Sequence, residues 1–363
     1  MDWYDANYTY HIDVAMISAT DVKKTLGLLS GVQLEGCTIN ENYNSDSRVQ
    51  AKVTTVVREE QSDGYIDNAR LRIVLSIPSR GWIESLVTGY VSNINESKEH
   101  GYTKRTYTIE GTIWGLLDHV MKDPVTIGKG AKLIKTWSSL LSGQTKMQYS
   151  TDGAQDHSFS NVIVYEAGSK LSTILFELSS GYSRMDTDGY GVITLKKYTA
   201  PSKRGIDRVV YFNQFKNLIL PATSNTSSEY DNPGRVVVTT SVSIEKNGKT
   251  TQQVVVGSYD APGSDKTSIN VRGYLKGKAE SYSGSSENPS KSELNSVAKT
   301  KYNDAQTAGR NWDAQSVFAN YKAGEVIRYV HSNLAESKCL IQTVNTNLDS
   351  FTQDLTLKEV QDA

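Results

Sequence analysis

The sequence predicts a mainly β protein with α+β parts: two β-barrels, a small α+β domain joining them, and a helical insertion in the second barrel. Tyrosine is abundant (21 residues) where phenylalanine is scarce (6), and Thr, Ser, Val and Gly are frequent. Tyr, Thr and Val favour strands, and Gly favours the turns between them. With 363 residues and 37% hydrophobic content, the chain is long enough for several domains, each with a modest core.

The first barrel is predicted over residues 1–125. Its strands are expected where apolar and polar residues alternate, at 8–17, 49–57, 69–77, 86–94 and 103–113. Alternation places one set of side chains on each face of a strand. Several strands this close together in sequence favour a small sheet bent into a barrel.

Helical periodicity then replaces strand periodicity. Apolar residues recur at helical spacing from Trp114 to Met121, and Pro124 ends this predicted helix. Two further segments share the spacing, at 131–141 and 169–182. Together with the hairpin that follows them, they predict a small α+β linker domain over residues 126–204.

The stretch "MDTDGYGVI", residues 185–193, resembles the start of a calcium-binding loop. Asp186, Asp188 and Gly191 occupy positions 1, 3 and 6 of an EF-hand loop. Tyr190 stands at position 5, however, and Lys197 stands where the closing glutamate is needed. Strand alternation follows from Ile193, so a metal-free hairpin turn is favoured.

The second barrel is predicted in two parts, 205–285 and 323–363, around a helical insertion at 286–322. Its expected strands lie at 208–212, 235–246, 250–259 and 323–330. Asn247-Gly248 separates two of them and is a strong hairpin signal. Asn288-Pro289 opens the predicted helix, whose apolar face carries Leu294, Val297, Ala298, Tyr302 and Ala305.

The two β-rich regions resemble each other loosely. Residues 88–113 and 337–360 both read as a strand, a turn and an alternating Thr-rich strand. An internal duplication would explain this likeness, but strand-turn-strand patterns also recur by chance. The sequence leaves both explanations open.

No catalytic, cofactor or metal site is predicted. Asp156, His157 and Ser158 are the three residue types of a hydrolase triad. Neighbouring side chains in an extended chain point to opposite faces, however, whereas the side chains of a triad must point towards one another. The five histidines have no zinc-binding spacing. Cys37 and Cys339 stand far apart in the sequence and are expected in the core.

Charge and hydropathy limit the kinds of partner and the cellular location that the sequence predicts. Lys and Arg (39) nearly balance Asp and Glu (40), so tight nucleic-acid binding by bulk charge is not expected. The sequence has no apolar stretch of membrane-spanning length and no signal peptide at its start. We therefore expect synthesis and folding in a cytosol.

The order of these parts resembles the baseplate hub family of bacteriophage tails and related contractile injection systems. The most telling segments are "NPGRVVV" (232–238), "AGEVIRY" (323–329) and "DLTLKEV" (354–360). The resemblance implies two tail-tube-like barrels per chain and a homotrimeric ring that joins a sixfold tail tube to a threefold central spike. The family is structural, so no catalytic residue carries over.

The resemblance also implies where the protein acts. Its partners would be other copies of itself, the tail tube or distal tail protein, the central spike or tail-tip protein, and, as a further candidate, the tape measure protein. It would lie in the virion tail baseplate, assembled in the host bacterial cytoplasm. The alternative is a tail-associated enzyme that degrades carbohydrate or peptidoglycan of the cell wall. The sequence assigns no partner-binding residues.

Overall fold

The structure is a computed structural model that describes residues 9–211, 225–226, 232–246, 249–265, 267–282, 289–306, 311–330 and 335–360. Strands account for 48% of it and helices for 16%. The predicted mainly β class is therefore confirmed.

Seven strands form the first part of the chain. They are β1 (His11–Ile17), β2 (Thr25–Leu28), β3 (Val32–Asn42), β4 (Val49–Arg58), β5 (Arg70–Ile77), β6 (Trp82–Glu99) and β7 (Tyr102–Gly111). Five of them coincide with the predicted strands. The sequence does not predict β2 and β3, because most side chains of β2 are exposed and only Cys37 and Ile39 of β3 are buried.

Short helices and strands alternate in the middle part. They are α1 (Trp114–Leu117), β8 (Val125–Ile127), α2 (Leu133–Gln144), β9 (Tyr149–Ser150), β10 (Ile163–Tyr165), α3 (Leu171–Ser179), β11 (Ser183–Thr187) and β12 (Ile193–Lys197). They share a core around the fully buried Trp137. The helix predicted from Trp114 to Met121 is only one turn long, because Ile113 and Leu116 supply its buried face while Val120 is 54% exposed.

The last part returns to strands. Its elements are β13 (Arg208–Tyr211), β14 (Asn225–Thr226), β15 (Arg235–Lys246), β16 (Lys249–Asp260), α4 (Ile269–Arg272), β17 (Gly277–Ser281), α5 (Lys291–Gln306), β18 (Asn311–Val317), β19 (Val326–Val330), β20 (Glu336–Asn347) and β21 (Thr352–Glu359). The predicted Asn247-Gly248 turn lies outside the described residues, but Lys246 and Lys249 on either side of it pair in an antiparallel register.

One 13-stranded sheet joins the first and last parts. Its main path runs β14-β18-β21-β20-β3-β4-β7-β6-β5-β1-β2, with β19 also paired to β20 and β13 to β19. One edge of β20 pairs with β19 through residues 336–340 and with β3 through residues 343–347. Because β20 connects the two halves in this way, no closed barrel is present among the described residues.

The strand order of the sheet repeats. The path β3-β4-β7-β6-β5-β1 is matched by β14-β18-β21-β20-β19-β13, and corresponding strands come in the same order along the chain. All corresponding pairs are antiparallel except the last, since β1 is antiparallel to β5 whereas β13 is parallel to β19. The repeat suggested by residues 88–113 and 337–360 is thus present as topology.

A β-bulge marks corresponding positions in the two copies. The β6–β7 pairing shifts between Val91 and Asn93, and the β20–β21 pairing shifts between Ile341 and Thr343. In each copy the two residues on either side of the shift pair with an apolar residue and a threonine, which are neighbours in the second strand of the hairpin. A bulge leaves one residue unpaired and bends its strand, so the two hairpins share a local distortion as well as an order.

The insertion in the second copy is larger than the sequence predicts. β15 pairs with β16 and β17 in a separate three-stranded sheet, and α5 packs on β15 and β16. Leu294, Ala298 and Tyr302 of α5 are buried there. β15 and β16, which the sequence assigns to the second barrel, therefore belong to the same inserted unit as α5. β18, which the sequence assigns to the helical insertion, belongs to the large sheet. Sequence proximity alone does not reveal which sheet a strand joins.

The core of the large sheet draws on both copies. Phe318, Leu348 and Phe351 from the second copy pack with the buried residues of β1, β4 and β5. Tyr10 stacks on Phe351 with ring centroids 4.0 Å apart. Hydrophobic burial is roughly proportional to the apolar area removed from water, so this shared core ties the two copies together.

The carboxylate of Asp63 is buried within the first copy. Asp63 is fully buried, and its oxygens accept hydrogen bonds from Tyr107, from Thr55 Oγ1 at 2.9 Å and from Arg105 Nη1 at 2.8 Å. Burial alone would raise the pKa of Asp63, but these hydrogen bonds and the Arg105 charge outweigh it and hold that pKa below its usual range.

Candidate functional site

The junction is the place where the two copies and the α+β unit meet, and it is centred on Tyr43, Arg184, Arg204 and Gly324. The Arg184 guanidinium carbon lies 3.4 Å from the centroid of the Tyr43 ring. Arg184 Nη2 also donates to the Tyr43 carbonyl at 2.8 Å, and Arg204 Nη1 donates to the Gly324 carbonyl at 2.7 Å. A cation held over an aromatic face is attracted by the ring quadrupole. Tyr43 is therefore the common contact of all three units.

Gly324 allows the second copy to approach Tyr43. Its φ is +96°, and a Cβ at this position would lie 2.7 Å from Cδ2 of Tyr43. Glu41 reinforces the approach, because it accepts from the Ala323 amide at 3.1 Å and forms an ion pair with Lys322 at 3.3 Å. Residues 322–324 before β19 are thus fixed against the end of β3 and the β3–β4 connection.

The tip of the β11–β12 hairpin docks on the first copy. The Gly189 carbonyl accepts from Ser85 Oγ at 2.5 Å and from Thr88 Oγ1 at 2.7 Å. Arg72 donates to the Tyr190 carbonyl at 3.1 Å, and Thr112 Oγ1 donates to the Gly191 carbonyl at 3.0 Å. The predicted hairpin turn is confirmed, and it serves as a contact between units.

The carboxylates of this hairpin accept hydrogen bonds from nearby backbone amides. Asp188 Oδ1 accepts from the Val192 amide at 2.9 Å, and Asp186 Oδ1 accepts from the Thr187 amide at 2.8 Å. Asp side chains commonly stabilise turns in this way. Across the residues the structure describes, no group of three or more His, Cys, Asp or Glu is arranged to hold a metal.

Two cavities flank the contact between Tyr43 and Arg184. One, of about 210 Å³, opens towards Arg48, Lys322 and the hairpin tip. The other, of about 380 Å³, is bounded by Arg204, by Lys196 and Lys197 of β12, and by the segment before β19. Both cavities are lined by Tyr43, Arg184, Asp186 and Ala323.

Cationic and anionic side chains both line these cavities. Burial lowers the pKa of Arg184, and the nearby charges of Arg48 and Arg204 lower it further. Nε of each of these three arginines is buried and has no hydrogen-bond partner. Three arginines that share the neighbourhood of Tyr43 are therefore held close together at the junction.

The Asp156-His157-Ser158 sequence does not form a triad. Asp156 Oδ1 accepts from the Ile134 amide in the first turn of α2 at 3.0 Å. His157 stacks on Tyr182 with ring centroids 3.6 Å apart, and burial lowers its pKa. Ser158 is exposed. These residues cap and pack the α+β unit.

The cysteines and histidines are the other candidates considered in the sequence. Cys37 and Cys339 are buried and unbridged, as expected. Of the five histidines, His331 lies outside the described residues. Within the described part of the chain, none of the helices has the length and hydrophobicity needed to cross a bilayer.

Sequence reasoning does not identify Tyr43, Arg184 or Arg204 as members of one site. Arg184 and Tyr43 are 141 positions apart, and Arg204 and Gly324 are 120 positions apart. The one available signal is local: Arg184 and Lys196 fall on paired strands of the predicted hairpin.

Two tail proteins, one of them from a prophage, share this fold over nearly the whole chain. The tail protein of Neisseria meningitidis MC58 has a TM-score of 0.65 at 11% identity, with 97% of each chain covered. The 43 kDa tail protein of prophage MuSo2 from Shewanella oneidensis has a TM-score of 0.64 at 10% identity, covering 98% of this chain and 97% of that one.

A component of the E. coli type VI secretion system also has a similar fold. Its TM-score is 0.50 at 9% identity, over 98% of this chain and 76% of the other, and that protein resembles the T4 bacteriophage tail proteins gp27 and gp5. No family model and no curated protein sequence matches the chain. The resemblance to baseplate hub proteins is confirmed at the level of the fold.

Proposed function

We propose that the protein is a structural hub of a phage-type tail, a homotrimeric adaptor that joins a sixfold tail tube to a threefold central spike or tail tip. The observation that carries this proposal is the repeated strand order, β3-β4-β7-β6-β5-β1 and β14-β18-β21-β20-β19-β13. The fold shared with tail proteins supports the same role.

Symmetry connects the repeat to the role. A threefold component can meet a sixfold tube when each chain offers two similar positions, and closed rings are the usual outcome of such heterologous contacts. The two copies are the tube-like β units of this proposal: the first lies within residues 1–125, and the second lies within 205–363 apart from the inserted sheet and α5. Residues 126–204 link them.

A fixed relation between the copies is a requirement of this role. The shared core at Phe318 and Phe351 and the junction at Tyr43 both oppose relative motion. Inter-unit interfaces that are small and polar permit motion by default. Here a buried apolar cluster and several hydrogen bonds cross between the units, which supports a rigid spacer.

The partners follow from the role. We propose the tail tube or distal tail protein above, the spike or tail-tip protein below, and the tape measure protein as a further contact, all within the virion baseplate assembled in the host cytoplasm. The protein would have no enzymatic activity of its own. The structural duties of Asp156 and His157 support this, because both side chains are already engaged.

Electron microscopy of assembled tails tests the proposal. The expected image is a ring of three chains in which each chain supplies two of six similar positions against the tube. Six separate chains in the ring, or one position per chain, would contradict it. Cross-linking mass spectrometry of the same particles would identify which copy faces the tube.

A further inference from the structure

The larger junction cavity is lined by four cationic and three anionic side chains. Its wall includes Arg184 and Arg204 together with Lys196 and Lys197, in a volume of about 380 Å³. Three carboxylates also line it: Asp186, Asp207 and Glu325. What decides its chemistry is how many of these charges are already engaged by other groups.

Two positive side chains are held opposite each other in this wall. Arg184 of β11 and Lys196 of β12 are register partners in an antiparallel pair. Side chains directly opposite in such a pair project from the same face, and like charges there destabilise the sheet. The hairpin therefore keeps an unfavourable pair that a bound anion would relieve.

Two of these carboxylates bind other groups through one oxygen each, while the second oxygen of Glu325, Oε2, is buried without a partner. Glu325 Oε1 accepts from Arg208 at 2.7 Å, and Asp207 Oδ2 accepts from the Val326 amide at 2.7 Å. Asp186 is 3.9 Å from Arg184 Nε, which is beyond hydrogen-bond reach. Arg184 thus has only the longer ion pair with Asp186, and none of the described carboxylates forms an ion pair with Lys196.

Both guanidinium groups are held in fixed positions beside the cavity. Nε of Arg184 and Nε of Arg204 are buried without a partner. Arg204 is already fixed through its Nη1 bond to Gly324, and Arg184 is fixed through Nη2 and the Tyr43 ring. Buried donors that lack a partner are costly, and guanidinium groups held in place match the oxygens of phosphate.

We propose that this cavity binds a small oxyanion of the phosphate class, held between Arg184, Lys196 and Arg204. The ligand is free phosphate, sulfate or the terminal phosphate group of a small molecule. Because the cationic side chains of its wall belong to β11, β12 and the segment leading to β13, the bound anion would strengthen the junction. This inference is independent of the protein's role in a tail.

Thermal unfolding of the full chain in phosphate tests the site. A ligand that binds only the native state raises the melting temperature. We expect millimolar potassium phosphate to raise the Tm of the wild type by about 2 °C or more over potassium chloride at equal ionic strength. Sulfate should act similarly, and acetate should act much more weakly.

Lys196→Met gives a signature that general destabilisation cannot produce. Lys196 is exposed, so its replacement should leave the fold intact. In chloride the variant should melt at or above the wild-type temperature, because the repulsion with Arg184 is gone, while most of the extra Tm gained in phosphate should disappear. Lys52→Met is the matched control: Lys52 is an exposed strand residue whose register partner is the uncharged Thr108, and this variant should keep the full phosphate response.

Three results would overturn the proposal. The first is a wild-type Tm that rises no more in phosphate than in chloride. The second is an undiminished phosphate response in Lys196→Met. The third is an acetate response equal to that of phosphate, which would assign the cavity to carboxylates instead.

Discussion

Gly189 lies against Ser85 so closely that a Cβ on Gly189 would stand 1.8 Å from the Ser85 carbonyl oxygen. The hairpin of the α+β unit reaches the first copy only because this side chain is absent. The same glycine accepts two hydrogen bonds from the first copy through its own carbonyl. One residue therefore controls how these two units dock.

Gly189→Ala should destabilise the protein by about 2–4 kcal/mol, because the added methyl forces the hairpin away from β6 and breaks its hydrogen bonds. Urea unfolding followed by circular dichroism measures this loss. Gly128→Ala is the matched control, since nothing lies within 4 Å of a Cβ at Gly128, and it should stay within about 0.5 kcal/mol of the wild type. Equal effects in both variants would contradict the docking argument.

The sequence predicts local structure well and long-range contacts poorly. β15 and β16 are recognisable because each contains a run of three valines and Asn-Gly separates them. Their membership of a separate sheet is not recognisable, since it depends on the packing of Leu294 from α5, and Gly257 must lack a Cβ to admit it. The sequence does not predict β3, because only Cys37 and Ile39 of its side chains are buried, although the strand lies in the middle of the large sheet.

The candidate site shows the same limit. The hairpin at residues 185–193 follows from its own Asp and Gly residues. Its partner Ser85 comes from β6, and Tyr43, the partner of the adjacent Arg184, comes from the β3–β4 connection. Nothing in their local sequence marks either residue as a contact. Pairs formed across more than a hundred residues are decided by tertiary packing, so the junction could be found only in the structure.

Calcium should have no effect on this hairpin. Asp186 and Asp188 already accept backbone hydrogen bonds, and Lys197 occupies the position of the closing ligand. We expect the melting temperature in a non-phosphate buffer to be unchanged on titration with calcium. Magnesium at the same concentration controls for ionic strength, and a rise specific to micromolar calcium would reject the metal-free turn.

Asp63 should make stability depend on pH in the acid range. Its pKa in the folded protein lies below the usual value, so its stabilising effect is fully present above the pKa of an unfolded Asp, about 3.9. The effect is lost as the pH falls from there through the folded pKa, because the unfolded chain then binds protons that native Asp63 does not.

Asp63→Asn should therefore cost about 2–4 kcal/mol at neutral pH, since the charged partner Arg105 and the donors Tyr107 and Thr55 lose the carboxylate they bind. Urea unfolding at several pH values should show the difference from the wild type shrinking below about pH 4. Asp67→Asn changes an exposed residue of the same loop and serves as the control. A difference that stays constant down to the acid limit would show that the charge of Asp63 is not responsible.

The purified chain should not degrade peptidoglycan. His157→Ala should cost about 1 kcal/mol of stability because it removes the stack on Tyr182, while Ser158→Ala at an exposed position should cost almost nothing. Zymography of the wild type and the double variant should show no clearing by either. Clearing by the wild type that disappears in the double variant would support the cell-wall enzyme and reject the structural role.

The inserted sheet should be removable without loss of the large sheet. Thr226 of β14 and Asn311 of β18 are antiparallel register partners, so the insertion leaves and re-enters the sheet at one point, where neighbouring strands stand about 5 Å apart. Its elements pack mainly on one another, as the burial of Leu294 and Tyr302 against β15 and β16 shows. We therefore expect a variant in which Asn-Gly replaces residues 227–310 to close β14 and β18 as a hairpin.

This variant should remain soluble and unfold cooperatively, with the far-ultraviolet spectrum of a β protein and a reduced helical contribution because α5 is absent. A matched excision tests whether any deletion would be tolerated. Replacing residues 43–48 between β3 and β4 by Asn-Gly removes far less of the chain but takes away Tyr43 and with it the contacts to Arg184, Arg204 and Gly324. We expect that smaller deletion to lower the melting temperature more than the larger one does. The opposite ranking would mean that the large sheet depends on the insertion and that the junction does not hold the units together.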